Sequence, residues 1–332
     1  PGSRPAILFP PEDIPPMNAL LISLALTTGQ PPAQGDDWKT QETAHFKNIK
    51  QVTEGFVRAG EGYFSPDGKK IIFQAEEKDT GNPFYQIFVM DLETRKFTRI
   101  SPGTGRTTCG YFRPDGKRVI FASSHSDPDA KKHQEAEFKQ RAEDAKKGAP
   151  RRRYSWDFDP HMKIYESNLD GTEVKCLTPD SKVYTAEGSY SADGKQIVFT
   201  SNRSGDKNLE LYIMGSDGKG VRKLTNAPGC YNGGPFFSPD GKRVIFRSDR
   251  KEKDHLQLYV IGSDGKNERA LTDDDGWVQW GPYWTDAKHV VYAAANHKVP
   301  GRPNYDVYYM NVDTGKKARV THAPGADVLP VP

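Results

Sequence analysis

Ser65-Pro66-Asp67-Gly68-Lys69 is the stretch on which the reading of this 332-residue chain turns. Pro presets φ for a reversal, Asp offers its side chain to nearby backbone amides, and Gly supplies the positive φ that joins two antiparallel strands. The pattern returns as Arg113-Pro114-Asp115-Gly116-Lys117, Ser191-Ala192-Asp193-Gly194-Lys195 and Ser238-Pro239-Asp240-Gly241-Lys242, and in degenerate form as Thr285-Asp286-Ala287-Lys288. Its glycines fall 48, 78 and 47 residues apart, and the long interval becomes ordinary once a charged insertion of about 30 residues is set aside. An aromatic segment such as Gly62-Tyr63-Phe64 precedes each turn, and an apolar one such as Lys70-Ile71-Ile72-Phe73 follows it. A third, alternating segment comes next (Leu209 to Met214, Leu256 to Ile261, Val307 to Met310), then a second turn (Asp217-Gly218-Lys219, Asp264-Gly265-Lys266). The unit closes on an apolar-hydroxyl pair: Ile100-Ser101, Leu177-Thr178, Leu224-Thr225, Leu271-Thr272 and Val320-Thr321. Four short strands per repeat define an all-β class and predict the blades of a β-propeller.

Five repeats are complete, and fragments flank them. His45 to Thr53 reads as a fourth strand without its first three, and Gly325 to Val331 as the start of a first strand. Together they predict a six-bladed propeller over 36–332, with its sixth blade partial and about 40 residues short of a full repeat. A neighbouring chain that added a strand there would make this an assembly protein, with oligomerisation through the incomplete sixth blade.

The formal net charge is only +3, and residues 131–153 hold nine Lys/Arg against four Asp/Glu, which leaves the remainder slightly acidic. No global attraction to nucleic acid follows. Cys109, Cys176 and Cys230 form no C-x-x-C and cannot all pair within one chain. Residues 1–35 read as an N-terminal extension in which Met17 to Gln34 carries a short apolar run, ALLISLAL, of signal-peptide length. As a signal segment the run predicts a periplasmic or secreted setting; its Leu and Ile content would also suit an ordered β-strand. Residues 126–153 interrupt blade 2 between its second and third strands, and Pro128 to Lys147 reads as a charged helix stopped by Gly148-Ala149-Pro150. It is either a solvated excursion or an arm whose Arg151, Arg152 and Arg153 meet an acidic partner or a membrane surface.

The recurring S-P-D-G-K turn, the downstream D-G-K turn and the L-T ending resemble the TolB-like family of WD40-like (PD40) propeller repeats, from about His45 to Val331. The resemblance implies the propeller fold. It implies less about activity, because the family includes periplasmic partner-binding proteins and propellers that regulate prolyl-oligopeptidase-type peptidases. The additional N-terminal α/β domain of some members finds no room before His45, and no G-x-S-x-G nucleophile elbow occurs.

Function in a propeller lies where the loops entering the inner strands converge on the axis. Those loops supply Arg58, Glu61, Arg106, Thr107, Tyr184, Glu187, Tyr231, Asn232, Trp277, Gln279 and Trp280. Arg, Tyr and Trp around one mouth suit a hot-spot surface for a protein or an extended ligand. Alternatively, these aromatics pack between blades while Arg58, Glu61, Arg106 and Glu187 neutralise one another. Glu61 and Glu187 could also act as acid and base of a carbohydrate- or peptide-acting enzyme. The eight histidines form no H-x-H or H-E-x-x-H pattern, although His125, His161, His255 and His297 all border loops between second and third strands. The sequence therefore nominates no catalytic residue, no metal ligand and no cofactor.

Overall fold

The turns do locally what their residue types dictate. In the computed structural model, which describes residues 37–148, 158–180, 182–205 and 208–332, Gly68 takes φ +68° and its N–H donates to Ser65 O at 2.8 Å. Asp67 Oδ1 accepts from Ser65 Oγ (2.6 Å) and Lys69 N (3.1 Å), while Ser65 Oγ accepts from Lys70 N (2.8 Å). The same bonds recur at Ser191/Asp193 and Ser238/Asp240. The hydroxyl and then the backbone bond hold the Asp67 and Asp193 carboxyls below the usual aspartate range.

Each turn joins the two inner strands of a four-stranded antiparallel blade. Blade 1 is β1 (Arg58–Phe64), β2 (Lys70–Glu76), β3 (Gln86–Asp91) and β4 (Phe97–Arg99). Blade 2 is β5 (Thr107–Phe112), β6 (Arg118–Ser123), β7 (Lys163–Asn168) and β8 (Lys175–Cys176). Blade 3 is β9 (Thr185–Tyr190), β10 (Gln196–Ser201), β11 (Glu210–Gly215) and β12 (Arg222–Lys223). Blade 4 is β13 (Asn232–Phe237), β14 (Arg243–Ser248), β15 (Gln257–Gly262) and β16 (Arg269–Ala270). Blade 5 is β17 (Trp277–Trp284), β18 (His289–Asn296), β19 (Asp306–Asn311) and β20 (Lys317–Arg319).

The apolar-hydroxyl ending has a geometric cause. Ser101, Thr178, Thr225, Thr272 and Thr321 each accept the backbone N–H of the second residue of the third strand, from Ile87, Ile164, Leu211, Leu258 and Val307, at 2.8–3.0 Å. The bond satisfies a donor at the point where the chain leaves one blade for the next. Apolar faces of successive blades then interlock, as where Ile72, Ile87 and Val89 of blade 1 meet Phe112, Val119 and Phe121 of blade 2.

The six-bladed expectation is corrected: the described residues form five blades of four strands. His45 to Thr53 and Gly325 to Val331 contain no strand. An isolated outer strand has nothing to ladder against, and the C-terminal segment is broken by Leu329 at φ +55° and by Pro330. Both segments fasten onto blades 1 and 5 instead, where Val52 O accepts from Arg95 Nη1 at 3.2 Å and Asp327 N donates to Tyr305 O at 2.8 Å. Helix α1 (Asp37–Thr43) places Glu42 Oε1 on the N–H groups of His322 (2.7 Å) and Ala323 (2.8 Å), and Phe56 packs against Phe73, Phe88 and Phe97. Strand addition at a sixth blade thus has no strand to start from among the described residues.

Between β6 and β7 stands helix α2 (Ala130–Lys146). It is tied down rather than free. Gln134 Oε1 accepts from Gly105 N (3.1 Å), Gln134 Nε2 donates to Gly81 O (2.9 Å), and Arg141 pairs with Glu76 at 2.7 Å. The expected Arg151, Arg152 and Arg153 contact, the 17–34 apolar segment and the rest of 1–35 lie outside the described residues. Among the described residues no helix is long and apolar enough to cross a membrane.

Candidate functional site

All five inner strands share one irregularity. In each, two consecutive residues oppose a single residue of the second strand, at Glu61, Cys109, Glu187, Gly234 and Gly281. These are bulges in which the first residue is left-handed, with φ between +39° and +60°. Glycine takes that conformation without cost, whereas Glu61, Cys109 and Glu187 hold it against about 1–2 kcal/mol each. The bulge turns their side chains toward the propeller axis.

There they meet an arginine that the other blades lack. Arg247 on β14 occupies the position held by Gln74, Ala122, Thr200 and Ala293 in the second strands of the other blades. Arg247 Nη2 donates to Tyr231 OH (2.9 Å) and Glu187 Oε1 (3.3 Å), and its guanidinium lies 4.0 Å over the Trp280 ring. Gly234 makes the room: a Cβ built there would stand 2.4 Å from Arg247 Nη1. The backbone N–H of Gly234 also donates to Glu187 Oε2, and Tyr231 OH donates to Glu187 Oε1 at 3.2 Å. Glu61 has weaker company, namely Tyr63 OH at 3.2 Å and the Cys109 thiol at 3.9 Å.

Burial and then the neighbouring Glu187 charge push the Glu61 carboxyl upward. Desolvation opposes the charge on Arg247, but Tyr231 and Glu187 more than offset it and hold the guanidinium firmly cationic. Burial and then Glu61 raise the Cys109 thiol, so it is no ready nucleophile. Folding thus works against the charge on Glu61, so the associated stability is present below the ordinary glutamate value and lost as pH rises through the folded one. Glu61→Gln is expected to be more stable than the parent at about pH 7 and to match it near pH 4. Urea unfolding at both pH values measures this, and a pH-independent difference would contradict it.

Directly beneath, the axis is filled. Tyr63, Tyr111, Phe236 and Tyr283, two residues beyond four of the bulges, pack with ring centroids 4.9–5.9 Å apart, and Tyr111 and Tyr283 share a 2.7 Å hydroxyl bond. The acidic cluster therefore has an aromatic floor.

Of the eleven nominated residues, Glu61, Glu187, Tyr231 and Trp280 converge on this cluster. The others do not. Thr107, Asn232 and Gln279 sit two positions before the bulge and are buried between blades, bonded to Ser123, Leu209 and Asp274. Tyr184 is buried beside Phe158, and Trp277 packs edge-on to Tyr308. Arg58 pairs with Glu76 at 2.7 Å and lies over Tyr85, and Arg106 lies over Phe84. Strand alternation explains the division, since neighbouring positions face opposite sides. Arg247 and Cys109 were missed. The readable signal for Arg247 was the mismatch of Phe246-Arg247-Ser248 with Phe121-Ala122-Ser123, opposite a Gly233-Gly234 pair.

Five four-stranded blades around an axis lined from bulged inner strands decide the architecture. The chain has the fold of the TolB propellers. It is similar to a provisionally named TolB of Agrobacterium tumefaciens, with 19% identity, a TM-score of 0.58, and coverage of 79% of this chain and 80% of that one. The TolB of Acinetobacter baumannii matches at 21% identity and TM-score 0.57, over 81% of this chain and 55% of that one. An oligogalacturonate lyase of Vibrio parahaemolyticus matches at 15% identity and TM-score 0.53, over 82% and 69%. At these identities the TolB likeness is one of fold. No family model matches the sequence, and no curated protein matches it.

Proposed function

We propose that this TolB-like propeller is a binding protein whose axial mouth takes a cationic group carried by a protein segment or other extended ligand. The observation that carries this reading is the pair of left-handed bulge glutamates aimed at the axis, at backbone positions where blades 4 and 5 use glycine. Strain retained at a concave site fits a functional demand better than a packing one. Two carboxylates face one guanidinium, so the site has an unmatched acidic group, and Trp280 and Tyr231 offer aromatic walls suited to a cation or an aliphatic stem. The proposal includes an extracytoplasmic setting, supported by the apolar run after Met17.

Fluorescein-labelled extended peptides that are basic, neutral or acidic test the reading. The basic set is expected to bind, and Trp280→Ala to weaken it by about 2 kcal/mol, roughly 30-fold. Equal binding of acidic peptides, or an unaffected variant, would sink the idea.

A second reading, an enzyme acting on carbohydrate or peptide, has one specific support: Glu61 is raised beside the paired Glu187, the separation of environments that an acid and a base require. Turnover of an oligosaccharide or peptide that disappears in Glu61→Gln and in Glu187→Gln would favour it.

A further inference from the structure

Away from the axis, the excursion that carries α2 gathers two carboxylates and two imidazoles. Asp127 lies in the turn after β6, His133 in the first turns of α2, and Asp159 and His161 in the segment that enters β7. Ligand atoms, one each from Asp127, Asp159 and His161, lie within 4.8 Å of one another. His161 Nδ1 stands 3.4 Å from Asp159 Oδ1 and 3.5 Å from Asp127 Oδ1, and His133 Nδ1 stands 3.1 Å from Asp127 Oδ2. A tetrahedron with metal-ligand bonds of about 2.1 Å has edges of about 3.4 Å. The atoms of Asp127, Asp159 and His161 are spaced as ligands around an ion, and His133 stands beside the second Asp127 oxygen.

The chemistry of the buried half points the same way. Asp127 is buried, with its side chain only 3% exposed, and the Asp159 side chain is 10% exposed. Its Oδ1 accepts Asp129 N at 2.9 Å, whereas its Oδ2 is buried and receives no hydrogen bond. Asp159 Oδ1 is fixed by His161 N at 2.8 Å. Each carboxylate is therefore oriented by a backbone amide on one side, as the outer contacts of a metal site orient its ligands. A buried carboxylate oxygen without a donor is costly. Imidazole nitrogens that face it with their lone pairs would add repulsion, and a shared cation removes both.

We propose that Asp127, His133, Asp159 and His161 form a binding site for a divalent first-row transition-metal ion, zinc or manganese. Imidazole with carboxylate and no thiolate suits these ions rather than a soft one. The four ligands come from the two ends of the excursion and from the helix between them. The ion would clamp that loop to blade 2. A small cavity lined by Phe84, Arg106, His133 and Asp159 adjoins the site, which puts it beside one of the loops that enter the inner strands.

The test uses the full chain, stripped with a chelator and titrated calorimetrically with zinc chloride and, separately, with manganese chloride. One equivalent of at least one metal is expected to bind. The double variant His133→Gln/His161→Gln, whose side chains are about half exposed (49% and 42%) and dispensable for packing, is expected to lose at least about tenfold in affinity with an unchanged far-UV circular dichroism spectrum. Asp127→Asn should lose as much. The proposal is overturned if the parent binds neither metal. It is also overturned if the double variant binds as the parent does, or if His255→Gln/His297→Gln, elsewhere on the propeller, abolishes uptake instead.

Discussion

Arg247→Met is expected to lower stability by about 3–5 kcal/mol, because it removes the cation and leaves Glu187 buried without its ion pair. The distances set the size of the effect. Arg247 reaches Glu187 at 3.3 Å and Tyr231 OH at 2.9 Å, with side-chain exposures of 8% for the arginine and 16% for Glu187. Methionine preserves the aliphatic volume, so the change reports charge and hydrogen bonding rather than a cavity. Arg247 Nε is buried without a partner, and losing that donor trims the cost somewhat. A melting-temperature drop on the order of 10 °C should follow in a domain of this size. Glu187→Gln added to Arg247→Met is expected to recover part of the loss, which a double-mutant cycle reads directly. A drop below about 1 kcal/mol would show that solvent reaches these groups more freely than their burial implies.

Tyr63→Ala is expected to cost a similar amount, about 3–5 kcal/mol, for a different reason. Tyr63 is 7% exposed and its ring touches those of Tyr111, Phe236 and Tyr283. Truncation leaves a cavity on the axis that rings from three other blades cannot collapse into, since each is fixed by its own strand. Tyr63→Phe keeps the ring and removes only the 3.2 Å bond to Glu61. It should cost about 1 kcal/mol in urea unfolding and push the Glu61 carboxyl further upward. If Tyr63→Ala and Tyr63→Phe cost the same, the hydroxyl rather than the aromatic floor matters.

The repeat was legible because it rests on local chemistry. Asp67, Asp193 and Asp240 bond amides two residues away, and Ser101 and Thr272 cap strands within their own blades. Blade number was misread where local chemistry is silent. His45 to Thr53 has strand-like composition, but whether it pairs depends on partners remote in sequence, and it finds none. The candidate site was half legible. Position in the entry loops nominated Glu61, Glu187, Tyr231 and Trp280, yet it also nominated Thr107, Asn232 and Gln279, whose alternation turns them between blades.

By itself the sequence determined an all-β propeller with five full repeats, its turn chemistry, and the glutamates of the inner strands, because each rests on residues a few positions apart. Only the tertiary structure decided that there are five blades, that the bulges aim Glu61 and Glu187 inward, and that Arg247 answers them through the space Gly234 leaves. The same holds for the four ligands that α2 and its flanks bring together. These depend on distances between residues tens of positions apart, which are fixed when blades pack against one another and by nothing local in the chain.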